Sequence, residues 1–225
     1  MLKTLLATVA VVAPLALPAH AVTVVQWDFE NAPADLNNAT VSPAVAASVG
    51  TGTASGVHAS SASDWTTPTG NGSANSLSSN TWATGDYYQF AFSTATYGDL
   101  VLSFDQTRSS TGPSAFTLAY SVNGGSSFVD FTTYTVLENV TPSWSASVYS
   151  SKYTFSFDLS GVTALDNQAS VLVRLVSNVT PSNASGTNRV DNFSVMLSPV
   201  PEPGTTALLL AGLASLGFVA RRRRG

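Results

Sequence analysis

The chain has no cysteine, and it has only two histidines among its 225 residues. Without cysteine it forms no disulfide, no zinc–thiolate site and no thiol nucleophile. Charged residues are also scarce, at 10% of the chain. The length is sufficient for one domain with a sizeable core. Such a domain must be stabilised by packing and backbone hydrogen bonds alone.

Basic residues are nearly absent between the two ends of the chain. Residues 22–200 hold twelve of the thirteen acidic residues and four of the nine basic ones, so their formal charge is −8, against −4 for the whole chain. A surface of that charge repels phosphate backbones. No basic stripe or basic amphipathic helix is present to reverse the effect. Nucleic acid is therefore excluded as a partner.

Residues 22–198, called the ectodomain below, lack any sustained helical period and show strand patterns instead. Residues 153–159 alternate apolar and polar side chains, and Asn123-Gly124-Gly125 is a strong hairpin turn signal. These patterns predict an all-β, antiparallel, jelly-roll-like β-sandwich. Trp27 and Phe29 are expected in its core. The predicted strands are residues 22–29, 87–92, 100–106, 116–122, 128–133, 153–159, 171–176 and 189–197.

Residues 31–82 differ in composition from the rest of the ectodomain. They are rich in Ala, Ser, Thr, Gly and Asn and contain few large hydrophobic residues. Because small and polar residues favour turns, we expect long surface loops here with one or two irregular strands. The segment is not expected to form a separate domain.

The first 21 residues have the organisation of a signal peptide. Lys3 supplies a basic start, residues 5–17 are apolar, and Ala19 and Ala21 fit the small-x-small cleavage pattern. The sequence therefore predicts a hydrophobic signal helix, export by the Sec machinery, cleavage by signal peptidase, and a mature chain that begins at Val22.

The last 27 residues, 199–225, combine three signals. A proline-rich strip precedes an uncharged apolar stretch at about 205–220, which as a helix would measure about 24 Å, slightly less than a hydrocarbon core of ~30 Å. This predicts a short transmembrane helix, because a soluble helix would have a polar face. The basic residues that follow predict a cytoplasmic end. They are Arg221, Arg222, Arg223 and Arg224.

This tail closely resembles the PEP-CTERM sorting signal of Gram-negative bacteria. The resemblance covers about 26 residues and includes, in order, a Pro-Glu-Pro element, a short Leu/Ala/Gly helix and an Arg run. It implies recognition by an exosortase that cuts near the Pro-Glu-Pro element after transient anchoring in the inner membrane. It also implies association with exopolysaccharide, biofilm or floc matrix. The residues that carry the motif are Val200, Pro201, Glu202, Pro203 and Gly204.

Parts of the ectodomain resemble secreted β-sandwich modules of the carbohydrate-binding type. In such modules the last strand often reads Arg-Ile/Val-Asp-Asn-Phe/Val, and this chain has Arg189-Val-Asp-Asn-Phe193. The resemblance implies the fold rather than a ligand. The segments that carry it are residues 85–90, 102–105, 120–125 and 186–193.

Catalytic chemistry has few candidates. His58 is the only histidine of the ectodomain and lies in a small-residue loop, where a Ser-His-Asp triad would need two further residues nearby. Asp105, Asp158 and Asp191 lie in or beside predicted strands. A glycosidase needs two carboxylates about 5 to 9 Å apart, but spacing along the chain does not show whether these converge. We assign no catalytic residue.

Binding has better candidates. Trp65, Trp82 and Trp144 lie among Ser, Thr and Asn, where each indole either caps the core or faces solvent as a platform for sugar rings. Asp191 and Asn192 could supply oxygen ligands to a structural Ca²⁺, although no EF-hand spacing is present. No other cofactor is expected.

The sequence thus predicts an exported, non-catalytic protein of the cell surface or extracellular matrix, processed by an exosortase. Two alternatives remain open at this stage. The ectodomain could act as a carbohydrate-binding module on matrix polysaccharide, which exposed aromatic residues would favour. It could also be a secreted glycoside hydrolase, which Asp side chains clustered in a deep cleft would favour.

Overall fold

The computed structural model describes residues 22–199 and Gly212. The described part of the chain folds as an all-β sandwich of two six-stranded antiparallel sheets, as the sequence predicts. Sheet A contains β1 (Val22–Trp27), β4 (Trp65–Thr66), β5 (Leu77–Ser79), β7 (Tyr97–Arg108), β10 (Thr154–Asp158) and β12 (Asn188–Pro199). Sheet B contains β2 (Val45–Ala46), β3 (Gly52–Val57), β6 (Tyr87–Phe92), β8 (Ala115–Ser121), β9 (Val129–Thr135) and β11 (Val171–Ser177).

Sheet A is organised around its last strand, β12. The order is β10-β7-β12-β5-β4, and β1 also pairs with β12. The pairing of β1 places Val22 opposite Leu197 and Trp27 opposite Phe193. The two ends of the ectodomain are therefore hydrogen-bonded to each other.

Sheet B is organised around β11, in the order β2-β3-β6-β11-β8-β9. Buried and partly exposed residues alternate along both β6 and β11, as expected for strands with one face on the core. The register places Arg174 of β11 between Gln89 of β6 and Ala119 of β8. This alternation puts Gln89 and Arg174 on the outer face of sheet B.

Aromatic rings fill the space between the sheets. The rings of Phe90 and Phe193 come from opposite sheets and stack with centroids 3.5 Å apart. Trp27 meets Phe90 edge-on at 5.3 Å, and Phe104 stacks on Phe193 at 5.6 Å. Trp27 and Phe29 are buried, which confirms both as core residues. Stacked and edge-on aromatic pairs stabilise a core beyond the area that they bury.

The prediction for residues 31–82 was wrong in part. The segment contributes four strands, two to each sheet, instead of one or two irregular ones. Its longest strand, β3, pairs with β6 over six residues. A side chain on Gly56 of β3 would place Cβ 2.1 Å from the Trp65 ring, so only glycine fits beneath that indole. Small residues are therefore needed here because the core aromatic residues pack directly onto the backbone.

The predicted signal peptide, residues 1–21, lies outside the described residues. The predicted transmembrane helix at about 205–220 and the Arg run also lie outside them, except for Gly212. No helix in the described part of the chain has the length and hydropathy needed to cross a membrane. Within residues 22–199 the helices are two single 3₁₀ turns, Ser151–Tyr153 and Thr163–Leu165.

Candidate functional site

The outer face of sheet B presents a cluster of aromatic and hydrogen-bonding side chains. Tyr87 and Gln89 of β6 and Leu172 and Arg174 of β11 alternate with buried residues, so all four project outwards and are partly exposed. Adjacent side chains of β3 and the β8–β9 connection border them. We call this surface the Arg174 face; it consists of Ser55, Tyr87, Gln89, Phe128, Leu172 and Arg174.

Arg174 is held in a fixed orientation at the centre of this face. Its guanidinium carbon lies 3.8 Å from the ring centroid of Tyr87 and 3.8 Å from that of Phe128. Its Nε donates a hydrogen bond of 2.8 Å to Oε1 of Gln89. Partial burial lowers the pKa of Arg174, and Tyr87 opposes the decrease. The guanidinium nevertheless remains charged at neutral pH because its ordinary pKa is so high.

The β8–β9 connection brings Phe128 onto the sheet. Gly124 and Gly125 have φ values of 70° and 87°, as the predicted turn requires. The backbone N–H of Gly125 donates to Ser121 Oγ at 3.0 Å, and this hydrogen bond stabilises the turn between β8 and β9. A Cβ at Gly125 would lie 3.1 Å from Leu172, so this loop packs closely over β11. The hairpin thus forms one wall of the Arg174 face.

An open depression of about 300 Å³ adjoins the Arg174 face over β3 and β6. Thr53 of β3 pairs with Ala91 of β6, and Ala91 pairs with Leu172 of β11, so the depression lies one row from Arg174. Apart from one aromatic residue, Phe92, its lining residues are small or carry a hydroxyl group. The lining residues are Thr51, Gly52, Thr53, Ala91, Phe92, Ser93 and Ala169.

The three tryptophans expected as sugar platforms are all buried. Trp65 is 1% exposed, Trp82 is 3% exposed and Trp144 is 6% exposed. The indole N–H of Trp65 donates to the carbonyl of Ala39, and that of Trp82 donates to the carbonyl of Ser79. Of the two alternatives left open by the sequence, burial is the one that the structure shows, and none of the three indoles is an exposed, flat platform. The rings of Trp65 and Trp82 join the core between the sheets, whereas Trp144 packs edge-on against Tyr153.

His58 lies between two of these indoles, with ring centroids 4.5 Å from Trp65 and 4.3 Å from Trp82. Its Nδ1 lies 2.8 Å from Ser63 Oγ and 3.7 Å from Asp86 Oδ2. In a catalytic triad the carboxylate and the hydroxyl contact opposite ring nitrogens. Because both contact Nδ1 here, and the cluster is buried, this is not a triad geometry.

The environment of His58 also keeps its ring neutral. Burial lowers the pKa of His58 to about 4, and the backbone of Asn80 opposes the decrease. A base with that pKa is already unprotonated at neutral pH but is shielded from solvent. His58 is therefore a packed core residue of the described structure.

Two of the three carboxylates considered for hydrolysis do meet. Asp105 of β7 and Asp191 of β12 are register partners on the outer side of sheet A. Asp158 lies apart from them: Thr154 of β10 pairs with Asp105, and Asp158 is four residues farther along β10, where it is exposed. Asp105 is 1% exposed and Asp191 is 0% exposed. A glycan cannot reach carboxylates that are covered in this way, so the pair does not form a hydrolytic cleft.

Asp191 is held by several hydrogen-bond donors from the covering loop and from its own strand. Its carboxylate accepts bonds from the backbone N–H groups of Asn71 and Asn192 and from the Ser73 hydroxyl. Burial raises the pKa of Asp191 to about 7; these hydrogen bonds oppose the increase, and the charge of Asp105 adds to it. The hydrogen bonds from Asn71 and Ser73 tie the last strand, β12, to the loop at residues 71–73.

The same donors do not suit a cation. N–H and O–H groups point at the Asp191 carboxylate, and Nδ2 of Asn192 points at Oδ2 of Asp105, at 2.9 Å. A Ca²⁺ site instead needs six to eight oxygen ligands directed at the ion. Across residues 22–199, no group of three His, Asp or Glu side chains could hold a metal ion. The Ca²⁺ reading of Asp191 and Asn192 has no support in this arrangement.

The comparison with known families decides the nature of the tail. Residues 199–224 match the PEP-CTERM protein-sorting motif. The chain carries a PEP-CTERM sorting signal. The motif indicates an exported protein that is anchored at the membrane before processing. Its residues Val200, Pro201, Glu202, Pro203 and Gly204 lie outside the described structure, as do Arg221, Arg222, Arg223 and Arg224 and the predicted cleavage residues Ala19 and Ala21.

Several solved structures are similar to the chain at low sequence identity. The tandem carbohydrate-binding domain CBM22-1–CBM22-2 of Paenibacillus barcinonensis Xyn10C has a TM-score of 0.45 and 15% identity over 84% of this chain, which spans 50% of that one. The mannan-recognising module TmCBM27 has a TM-score of 0.43 and 14% identity over 80% of this chain and 99% of its own. The K3 adhesin domain of Lys-gingipain from Porphyromonas gingivalis has a TM-score of 0.41 and 12% identity, over 77% of this chain and 98% of its own. No sequence among the curated proteins matches the chain.

Sequence reasoning missed the Arg174 face. Arg174 interrupts an apolar strand at an alternate position, and that signal was available in residues 171–176. The partners of Arg174 could not be predicted in the same way. Tyr87 and Gln89 lie some 85 residues earlier in the chain and contact Arg174 only because β6 pairs with β11.

Proposed function

We propose that this protein is an exported, non-catalytic component of the surface or exopolysaccharide matrix of a Gram-negative bacterium, and that its sandwich contacts matrix polysaccharide. An exosortase cuts the precursor near residues 200–204 after transient anchoring in the inner membrane. The chain then remains at the cell surface or in the biofilm matrix. The sorting motif at residues 199–224 supports this route.

The Arg174 face is the observation that carries the polysaccharide contact. It combines two partly exposed rings, a charged donor group and an amide on the outer surface of sheet B. Sugars offer hydroxyl groups at their edges and C–H groups on their faces, so they bind to aromatic rings flanked by hydrogen-bond donors. The buried Asp105–Asp191 pair favours a non-catalytic role over hydrolysis.

Changing the sorting element should block processing. Replacing Pro201, Glu202 and Pro203 together by Ala removes the stiff, accessible strip that an exosortase would read. We expect the uncut precursor to accumulate in the inner membrane, as detected by fractionation and intact-protein mass spectrometry. The control is Pro33→Ala, which changes an exposed proline of the sandwich and should be processed normally. Normal release of the triple variant would contradict the sorting route.

Removing the rings of the Arg174 face should weaken polysaccharide binding. We expect Tyr87→Ala and Phe128→Ala each to reduce affinity for exopolysaccharide from the producing bacterium about tenfold, because each loses a ring contact and the support of Arg174. Affinity electrophoresis of the full chain measures the effect. Tyr149→Ala is the control, since Tyr149 is 54% exposed and bonds to Thr154 of sheet A. Equal binding by all three variants would exclude this face.

A further inference from the structure

Arg174 differs from the other cations of the described structure. Residues 22–199 contain four cations in all, and three of them donate to backbone carbonyls. Arg108 donates to the carbonyls of three residues, Arg189 donates to that of Thr69, and Lys152 lies 3.5 Å from that of Thr141. Arg174 donates only through Nε, to a side-chain amide.

The terminal nitrogens of Arg174 are therefore uncommitted. Within the described part of the chain, neither Nη1 nor Nη2 donates to a protein acceptor, and no carboxylate lies within ion-pair distance of this guanidinium. The two rings fix the plane of the group, and Gln89 fixes its rotation. An arginine held in this way presents two parallel N–H donors at a fixed spacing. That spacing matches the two oxygens of a carboxylate.

We infer that the Arg174 face selects a carboxylate-bearing sugar, such as a uronate, within a matrix polysaccharide. The carboxylate accepts two hydrogen bonds from the free edge of the guanidinium, and the sugar ring extends over the adjoining depression. The hydroxyl-bearing residues Thr51, Thr53 and Ser93 line that depression and suit a hydroxylated ring. This inference rests on the proposed polysaccharide contact and adds the chemical class of the ligand.

The charge of the whole ectodomain limits the kind of acidic polymer. With a formal charge of −8 on residues 22–200, a densely charged polyanion is repelled as it approaches. A single carboxylate in a largely neutral chain escapes most of that repulsion but still pairs with Arg174. The selected polymer should therefore be sparsely acidic.

The test compares acidic and neutral glycans on one array. The probes are uronate-containing oligosaccharides, the carboxyl-reduced partner of each, neutral oligosaccharides and oligoglutamate peptides, with the full chain in detergent. We expect sparsely acidic glycans to bind ten to a hundred times more tightly than their carboxyl-reduced partners, as a charge-assisted bidentate contact implies. Arg174→Met should abolish this preference. Arg174→Lys keeps the charge but lacks the planar fork, so it should retain only part of the preference.

Two measurements keep the result interpretable. Lys152 is an exposed cation in a turn that contacts sheet A, so Lys152→Met should leave the preference for acidic glycans intact. Unchanged circular dichroism and unfolding temperature show that the Arg174 variants are folded. Binding of neutral glycans with no effect of carboxyl reduction would overturn the inference and leave the proposed function standing. Binding of no glycan would overturn both, and tighter binding of oligoglutamate than of any uronate would replace the sugar by an acidic peptide.

Discussion

Replacing Asp191 by Asn is expected to change the pH dependence of stability by about 4 kcal/mol between pH 4 and pH 7. Burial raises the pKa of this carboxyl to about 7 in the folded chain, whereas in the unfolded chain it is close to 3.9. Between these values the folded state holds one proton more than the unfolded state. The contribution of Asp191 to stability is therefore full below pH 4 and is lost as the pH rises to 7. Asparagine does not titrate, so the stability of the variant rises relative to that of the wild type as the pH increases from 4 to 7.

Chemical denaturation at several pH values measures the difference. Asp158→Asn is the control, and its effect on the pH dependence of stability should have the opposite sign. Hydrogen bonds from Ser160 lower the pKa of the exposed Asp158, whereas burial raises that of Asp191. The contribution of Asp158 is present at higher pH and is lost on acidification. Parallel profiles for wild type and Asp191→Asn between pH 4 and pH 8 would show that Asp191 is ionised and solvated in the fold, contrary to the buried network described above.

Replacing Phe193 by Ala is expected to lower the free energy of unfolding by about 4 kcal/mol. The ring is fully buried and stacks on Phe90 at 3.5 Å. It also lies 5.8 Å from Trp27 and 5.6 Å from Phe104, so its loss opens a cavity in the centre of the core. Native domains are stable by only about 5–15 kcal/mol, and no disulfide compensates in this chain. Urea denaturation followed by circular dichroism measures the change.

The control for this prediction is a phenylalanine on the surface. Phe131 of β9 is 36% exposed, so Phe131→Ala should cost less than about 1 kcal/mol. A loss of similar size in both variants would mean that the Phe90–Phe193 stack does not organise the core.

The sequence predicted the strands where side chains alternate strongly. The predicted strand at residues 87–92 coincides with β6, and that at 171–176 differs from β11 by one residue. The strand Gly52–Val57 was missed because Gly, Thr, Ala and Ser have weak or mixed strand preferences. It forms because β6 offers it a full set of backbone partners and because Trp65 needs Gly56 beneath its ring. Both reasons are tertiary and cannot be found in a short window of sequence.

The candidate site was harder to predict than the strands, because its residues come together only through long-range strand pairing. Polar neighbours left exposure open for Trp82, yet the ring is covered by His58 and Phe116 from distant parts of the chain. Conversely, Arg174 gained a defined role only through Gln89 and Phe128. Residue composition suggested aromatic rings with hydrogen-bond donors as a binding surface, but it placed them at three tryptophans that the structure buries.

The central position of β12 bears on how the protein withstands mechanical load. The sorting segment follows this strand directly, so tension on the tail, while it is held at the membrane, enters the sandwich there. On one side β12 is bonded to β7, and on the other it is bonded to β5 and β1. A pull on its end must shear ladders on both sides together, which distributes the force over sheet A. Force on the tail would thus be borne by one of the best-supported strands of sheet A, whereas the Arg174 face lies on sheet B.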